Sequence, residues 1–268
     1  MSTYRKDICF VVGAPRSGTT WLQRLLQIHP EICGGEESHF FTLFAHPLSH
    51  ADEMYYKERR IGPLIYIARE DFEGAIANLW DDIFQELYKE NPDSRVHLEK
   101  TPFHALCLNE ISRVFPEAKV IFLARDSRAV ASSLVHAGRS WGARWAPTSY
   151  KDAAAIWLQH VKAVQKWREQ HKSAQFLFIR YEDLVDNTSQ VLGEVLDFLL
   201  PQSAVLSVDE LIKKYESSVQ TTKDPSGFTR LRGIKGWQKD MPLYAKWVIW
   251  RNTRRKMREL GYEFKFFG

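Results

Sequence analysis

Ile8-Cys9-Phe10-Val11-Val12-Gly13-Ala14-Pro15-Arg16-Ser17-Gly18-Thr19-Thr20-Trp21-Leu22 is the stretch on which the fold turns. Its first five residues are apolar and rich in β-formers, with no alternation of polar positions, so they read as a strand buried on both faces. Gly13 ends the strand. From Thr19 to Ile28 the apolar residues Trp21, Leu22, Leu25, Leu26 and Ile28 share one face of a helix that Pro30 stops. Between strand and helix lies Gly13-x-x-x-x-Gly18-Thr19-Thr20, the spacing of a phosphate-binding loop in the context such a loop requires. Backbone N–H groups of a loop of this kind converge on an anion, and the helix N-terminus adds its dipole.

Outward from this unit, strands and helices alternate. Val96-His97-Leu98 reads as a brief strand, Lys119 to Ala124 as a central one and Phe176 to Ile179 as another. Helices are expected over 72–88, 103–115, after Asp126, and over 150–171, 187–200 and 243–260. This order predicts a three-layer α/β fold of the P-loop type, with a central, mostly parallel sheet flanked by helices. At 268 residues, with 44% hydrophobic and 26% charged residues, one domain over 1–268 is expected. Residues 217–241 carry Gly, Pro, Ser, Thr and basic side chains without period, and read as a long loop covering a bound ligand.

The net charge of +4 lacks the dense basic stripe of a nucleic-acid binder and suits a protein that holds a small polyanion. Three widely spaced cysteines, Cys9, Cys33 and Cys107, form no C-x-x-C pair and predict neither a disulfide framework nor a zinc site. No apolar run is long enough to span a membrane. Residues 1–7 are short and polar, leaving no room for a signal peptide, and a cytoplasmic location is expected.

The loop departs from a nucleoside-triphosphate site in two ways. Thr19 stands where the phosphate-loop Lys would be, and the cation is displaced to Arg16. The strand ending at Ala124 delivers Arg125 where a Mg²⁺-binding carboxylate would stand. Both point to phosphate binding without metal-assisted γ-phosphoryl transfer, and so away from a kinase-like enzyme. A non-catalytic nucleotide-binding module is the other alternative. It would be favoured if Glu37 and Lys100 pointed away from the pocket.

Four segments carry a resemblance. Pro15-Arg16-Ser17-Gly18-Thr19-Thr20-Trp21-Leu22 resembles the 5′-phosphosulfate loop of the sulfotransferase superfamily. Residues 120–133, with Arg125 at a strand end and Ser133 eight residues on, resemble its 3′-phosphate motif. Tyr181-Glu182-Asp183-Leu184 is similar to its Tyr-Glu-Asp segment. Arg230-Leu231-Arg232-Gly233-Ile234-Lys235-Gly236-Trp237 resembles its basic Gly-rich loop, with altered spacing. The resemblance runs in family order from about residue 8 to residue 242. It implies a soluble, bacterial-type sulfotransferase with 3′-phosphoadenosine 5′-phosphosulfate (PAPS) as co-substrate, adenosine 3′,5′-bisphosphate (PAP) as product, and no metal.

Under this resemblance Arg16, Ser17, Gly18, Thr19 and Thr20 hold the 5′ end of the donor. Arg125 and Ser133 hold the 3′-phosphate, with Arg232, Arg230, Gly233 or Lys235 from the long loop as further contacts. Trp21 is either an adenine-stacking ring or plain helix–sheet core, and Tyr181 is a contact near the base. Lys100 matches a family Lys aimed at the transferring group. The base is expected at Glu37, in Glu36-Glu37-Ser38-His39-Phe40-Phe41, which resembles the branch that modifies polysaccharides and protein tyrosines. In the cytosolic small-molecule branch the base is a His two residues after the Lys. Pro102 fills that place here, and His104 is the rival. His39 would orient Glu37. The acceptor, a small molecule or a carbohydrate, would lie under cap segments 40–69 and 138–149.

Overall fold

The computed structural model describes residues 6–57, 60–221 and 236–263. Its sheet has five strands, β1 (Asp7–Val12), β2 (Ile32–Cys33), β3 (Val96–Glu99), β4 (Lys119–Ala124) and β5 (Phe176–Arg180), in the order β2-β3-β1-β4-β5. Every pairing is parallel, with Cys9 opposite Leu98 on one side of β1 and Cys9 opposite Lys119 on the other. The helices are α1 (Thr19–Leu26), α2 (Phe40–Asp52), α3 (Arg69–Glu90), α4 (Leu108–Val114), α5 (Ser127–Gly138), α6 (Tyr150–Gln170), α7 (Tyr181–Asp186), α8 (Thr188–Leu199), α9 (Val208–Thr221), α10 (Trp237–Asp240) and α11 (Leu243–Glu259).

The period-two alternation of side chains along a strand separates two cores. Phe10, Val12, Phe122 and Ala124 face one side and pack with residues of α2 to α6 and α11. Cys9, Val11, Ile121 and Leu123 face the other and pack with α1, α8 and Leu211 of α9. Sheet and two helical layers form the expected three-layer architecture. No helix among the described residues is long and apolar enough to cross a membrane.

Four local readings change. β2 is only two residues long, too short for a periodic signal. The expected helix over 103–115 is a 3₁₀ segment, Pro102–Leu106, followed by α4, because Cys107 leaves helical geometry at φ −118°. In the 40–69 segment, α2 buries Phe40, Phe41 and Leu48. The loop read over 217–241 is helical at its start, where Ser217 to Thr221 continue α9, and at Trp237–Asp240. α9 opens with a reciprocal capping box: Ser207 N–H donates to Glu210 Oε2 at 3.0 Å and Glu210 N–H to Ser207 Oγ at 3.3 Å.

Candidate active site

β1 and β4 end side by side, so the residues after them meet beyond the carboxyl ends of the parallel strands, where open α/β sheets bind ligands. The loop after β1 is tightly held. A Cβ on Gly13 would lie 2.5 Å from the Leu123 carbonyl oxygen, and one on Gly18, at φ +97°, would run into the Tyr181 ring. Arg16 is also left-handed, at φ 74°, an uncommon conformation for a residue with a Cβ. Ser17 N–H closes a turn on Ala14 O at 3.0 Å. Ser17 Oγ is buried and has no hydrogen-bond partner among the described residues. A buried orphan hydroxyl within an anion-binding loop is what a ligand oxygen would satisfy.

Arg125, delivered by β4, lies over the Tyr181 ring at 4.2 Å and donates from Nη1 to Arg16 O at 3.3 Å. Its own carbonyl accepts from Trp157 Nε1 at 2.9 Å, which fixes the backbone there, and its Nε is buried with no partner among the described residues. Ser133, expected beside Arg125, accepts from Arg16 Nε at 3.0 Å, which leaves its own hydroxyl proton for another acceptor. The Arg16 guanidinium also stands over the Trp141 ring at 5.4 Å. Burial lowers the Arg16 pKa, the neighbouring Arg125 lowers it further, and Glu37 acts in the opposite sense. Two adjacent, partly desolvated guanidinium groups form a pocket that an anion would stabilise.

Trp21 is half-buried and meets Tyr181 edge-on, with centroids 5.8 Å apart. Both residues line the cavity, as do Gly18, Thr19 and Thr20, and Trp21 also packs against the core on the α1 side of the sheet. The cavity encloses about 630 Å³, within the usual range for a small-molecule site.

On its other wall Glu37 accepts from Lys100 Nζ at 2.5 Å. Lys100 is 2% exposed and the Glu37 side chain 31%, so the ammonium is buried while the carboxylate is partly open to solvent. His39 Nε2 lies 3.6 Å from the second Glu37 oxygen, with its side chain half open to solvent. Glu36 is exposed at the rim. His104 is placed differently: it is fully buried and does not line the cavity, its Nε2 accepts from Phe41 N–H at 3.1 Å, and burial holds its pKa down to about 3. Pro102 and Phe103 line the cavity in its stead, beside Trp141 and Trp145. Phe103 escaped the sequence reading, although it follows Lys100 by three residues. Arg230, Arg232, Gly233 and Lys235 lie outside the described residues.

The carboxylate next to Arg125 has another task. Asp126 caps α5, accepting from Arg128 N–H at 2.8 Å, and is gripped by the Arg128 guanidinium at 2.6 Å. Of the Tyr-Glu-Asp segment, only Tyr181 reaches the cavity. Glu182 accepts from Asp126 N–H at 3.1 Å and from Tyr262 hydroxyl at 2.9 Å, and Asp183 pairs with Arg180.

Residues 9–200 match the model of the sulfotransferase family. The chain belongs to that family. Among curated relatives it is 28% identical over 222 residues to protein-tyrosine sulfotransferase 1 of Danio rerio, covering 79% of this chain and 59% of that protein. It is 32% identical over 159 residues to nodulation protein NoeE of Sinorhizobium fredii, covering 56% of this chain and 36% of that protein. The chain thus spans less than two thirds of each relative's length. Solved sulfotransferases share its fold. The sulfotransferase domain of the Synechococcus olefin synthase has a TM-score of 0.60 at 20% identity, covering 99% of both chains. Mouse sulfotransferase SULT7A1, solved in complex with PAP, has a TM-score of 0.58 at 18% identity, covering 96% of this chain and 89% of that one.

Proposed function

We propose that this member of the family transfers a sulfonate group from PAPS to a hydroxyl or amine of a small-molecule or carbohydrate acceptor, with Glu37 as general base. The observation that carries this reading is the pairing of two walls in one cavity: the anion loop with Arg16 and Arg125 on one, Glu37 with Lys100 on the other. The donor supplies an activated S–O bond. The acceptor oxygen forms a new bond to sulfur as the bond to the 5′-phosphate oxygen breaks, the acceptor proton passes to Glu37, and PAP leaves.

The chain's own residues provide the three requirements of such a displacement: placement, charge and a proton acceptor. The loop from Gly13 to Thr20 and the α1 N-terminus hold the phosphosulfate end, Arg125 the 3′-phosphate, and Trp21 with Tyr181 the base. Lys100 and Glu37 neutralise each other at rest. An arriving phosphosulfate competes for the Lys100 ammonium, which frees the Glu37 carboxylate to take the proton. His39 reaches the second carboxylate oxygen and would keep the first turned toward the acceptor. Leaving-group charge is met by guanidinium and ammonium groups, while Asp126 is committed to Arg128 and the α5 cap. The reaction is therefore expected to run unchanged in a chelator.

Calorimetric titration with PAP in metal-free buffer should give low-micromolar or tighter binding. Arg125→Ala should weaken it at least about tenfold, since one charge-assisted contact is worth about 1.5–3 kcal/mol. Adenosine 5′-phosphate should bind wild type and variant almost equally. Equal loss for both ligands would make Arg125 structural. ATP raising the melting temperature only with Mg²⁺, and PAP not at all, would overturn the donor assignment. The same protein incubated with PAPS and a panel of hydroxylated compounds should release PAP and form a sulfated product.

A further inference from the structure

The segment that carries Glu37 lies between β2 and α2 and has no regular structure until Phe40. His39, at its end, takes φ 54°, a left-handed conformation that a side chain with a Cβ adopts only when its surroundings impose it. His39 is the N-cap of α2, so the N–H groups of His39, Phe40 and Phe41 belong to an opening helix turn that has no intrahelical acceptors for them.

Their acceptors come mostly from one other segment. Burial raises the Glu99 pKa, and the neighbouring Thr101 hydroxyl and the N–H and hydroxyl of Ser38 act in the opposite sense by favouring its charged form. Thr101 Oγ1 accepts from His39 N–H at 3.3 Å and donates to Glu99 Oε1 at 2.6 Å. His104 Nε2 accepts from Phe41 N–H, which leaves the imidazole proton on Nδ1, 3.6 Å from Glu99 Oε1. Phe40 N–H closes on Ser38 Oγ at 3.2 Å. Glu99, Thr101 and His104 are 2%, 0% and 0% exposed, so the Thr101–Glu99 and Phe41–His104 bonds are buried away from water.

Burying a carboxylate, a hydroxyl and an imidazole together costs more than burying apolar groups of the same volume. A helix can also be capped from its own chain, as Ser149 caps α6 by accepting from Asp152 N–H at 3.1 Å. Capping α2 from residues 99–104 achieves something a local cap does not. Side chains alternate as β3 runs out, so Glu99 and Thr101 turn inward, where Thr101 holds His39 and is itself held by Glu99, while Lys100, between them, turns to the cavity and meets Glu37.

We propose that Glu99, Thr101 and His104 are positioning residues that fasten the 37–41 segment to the strand end bearing Lys100, and so set the distance between base and cation. The inference rests on the reading of Glu37 as the base.

Thr101→Val removes both hydrogen bonds of the hydroxyl at nearly constant volume, and Thr101→Ser restores them. In Thr101→Val the His39 amide should exchange with solvent faster by NMR, and kcat should fall roughly 10–100-fold, the scale of an ångström-sized misplacement. PAP affinity and acceptor KM should stay within about twofold, and Thr101→Ser should recover most of kcat. Ser38→Ala, on a half-buried residue, reports on the same bolt should Thr101→Val not fold, with a smaller loss of kcat and faster exchange at Phe40. Unchanged kcat in both variants overturns the inference, as does a loss of PAP affinity and melting temperature in step with kcat, or a Thr101→Ser that recovers nothing. Failure of the base assignment is distinct. It appears as wild-type protein that transfers no sulfonate, or as Glu37→Gln at full rate, whatever Thr101→Val does.

Discussion

Replacing Glu37 by Gln is expected to lower turnover by roughly 10²–10⁴ while PAP binds at least as tightly as to wild type. The change is nearly isosteric, and the Gln carbonyl oxygen can still accept from Lys100 Nζ, which lies 2.5 Å from Glu37 Oε1. What disappears is the ability to take a proton. A negative charge also leaves a cavity that must admit a polyanion, and Lys100, 2% exposed, is left to find its counter-charge in the ligand. Affinity and rate should therefore separate, as expected of a group that acts in the transition state. Glu37→Ala should regain part of its rate when formate is supplied as a diffusible base. An active Glu37→Gln beside an inactive His104→Ala would overturn this account and move the chemistry to histidine. The placement of His104 speaks against that outcome: Nε2 is taken by Phe41 N–H, and the ring lies outside the cavity.

Acidification to pH 5 should destabilise the fold through its buried imidazoles. Burial holds His97 and His104 down to about 3 and His160 to about 4, against an ordinary value of 6.5. Below about pH 6.5 the unfolded chain binds a proton at each of these residues and the native state does not. Unfolding then takes up protons, and stability is lost as pH falls from 6.5 toward 4. Each such histidine contributes a slope of about 1.4 kcal/mol per pH unit, or about 2 kcal/mol between pH 6.5 and 5. Glu99 and Glu182 act in the opposite sense, because burial raises their pKa values and the native state holds their protons longer. A single variant isolates one histidine. His160 Nε2 is buried and has no partner among the described residues, so His160→Phe removes that nitrogen, together with the Nδ1 bond to Ile156 O at 2.8 Å, from a ring that already packs on Phe103. Urea unfolding at pH 7, 6 and 5 should show the variant losing less stability than wild type, by about 1.4 kcal/mol per pH unit once well below pH 6.5. Parallel curves would mean that His160 is protonated in the native state.

Residues 8–22 announce their structure because a strand buried on both faces, a Gly-bounded loop and an amphipathic helix each leave a local pattern. Arg125 is legible as the residue that ends an unbroken apolar strand. Other elements leave weaker traces. β2 has two residues and no period to read, and α2 carries Pro47 in its interior, a residue that normally argues against a helix. α9 was signalled by Ser207 and Glu210, a capping box that its polar surroundings obscured.

By itself the sequence determined the P-loop architecture and the nomination of Arg16, Arg125, Glu37 and Lys100, since each depends on residue type and spacing within a short window. Tertiary structure decided the rest. Only packing could show that His104 points into the core, that Ser133 accepts from Arg16, that Asp126 belongs to Arg128, and that Thr101 and His104, with Glu99 behind Thr101, cap a helix some sixty residues away in the chain. The physical reason is that a polar side chain's role follows from which partner reaches it and whether water can. Both depend on segments distant in sequence meeting at the ends of β1, β3 and β4.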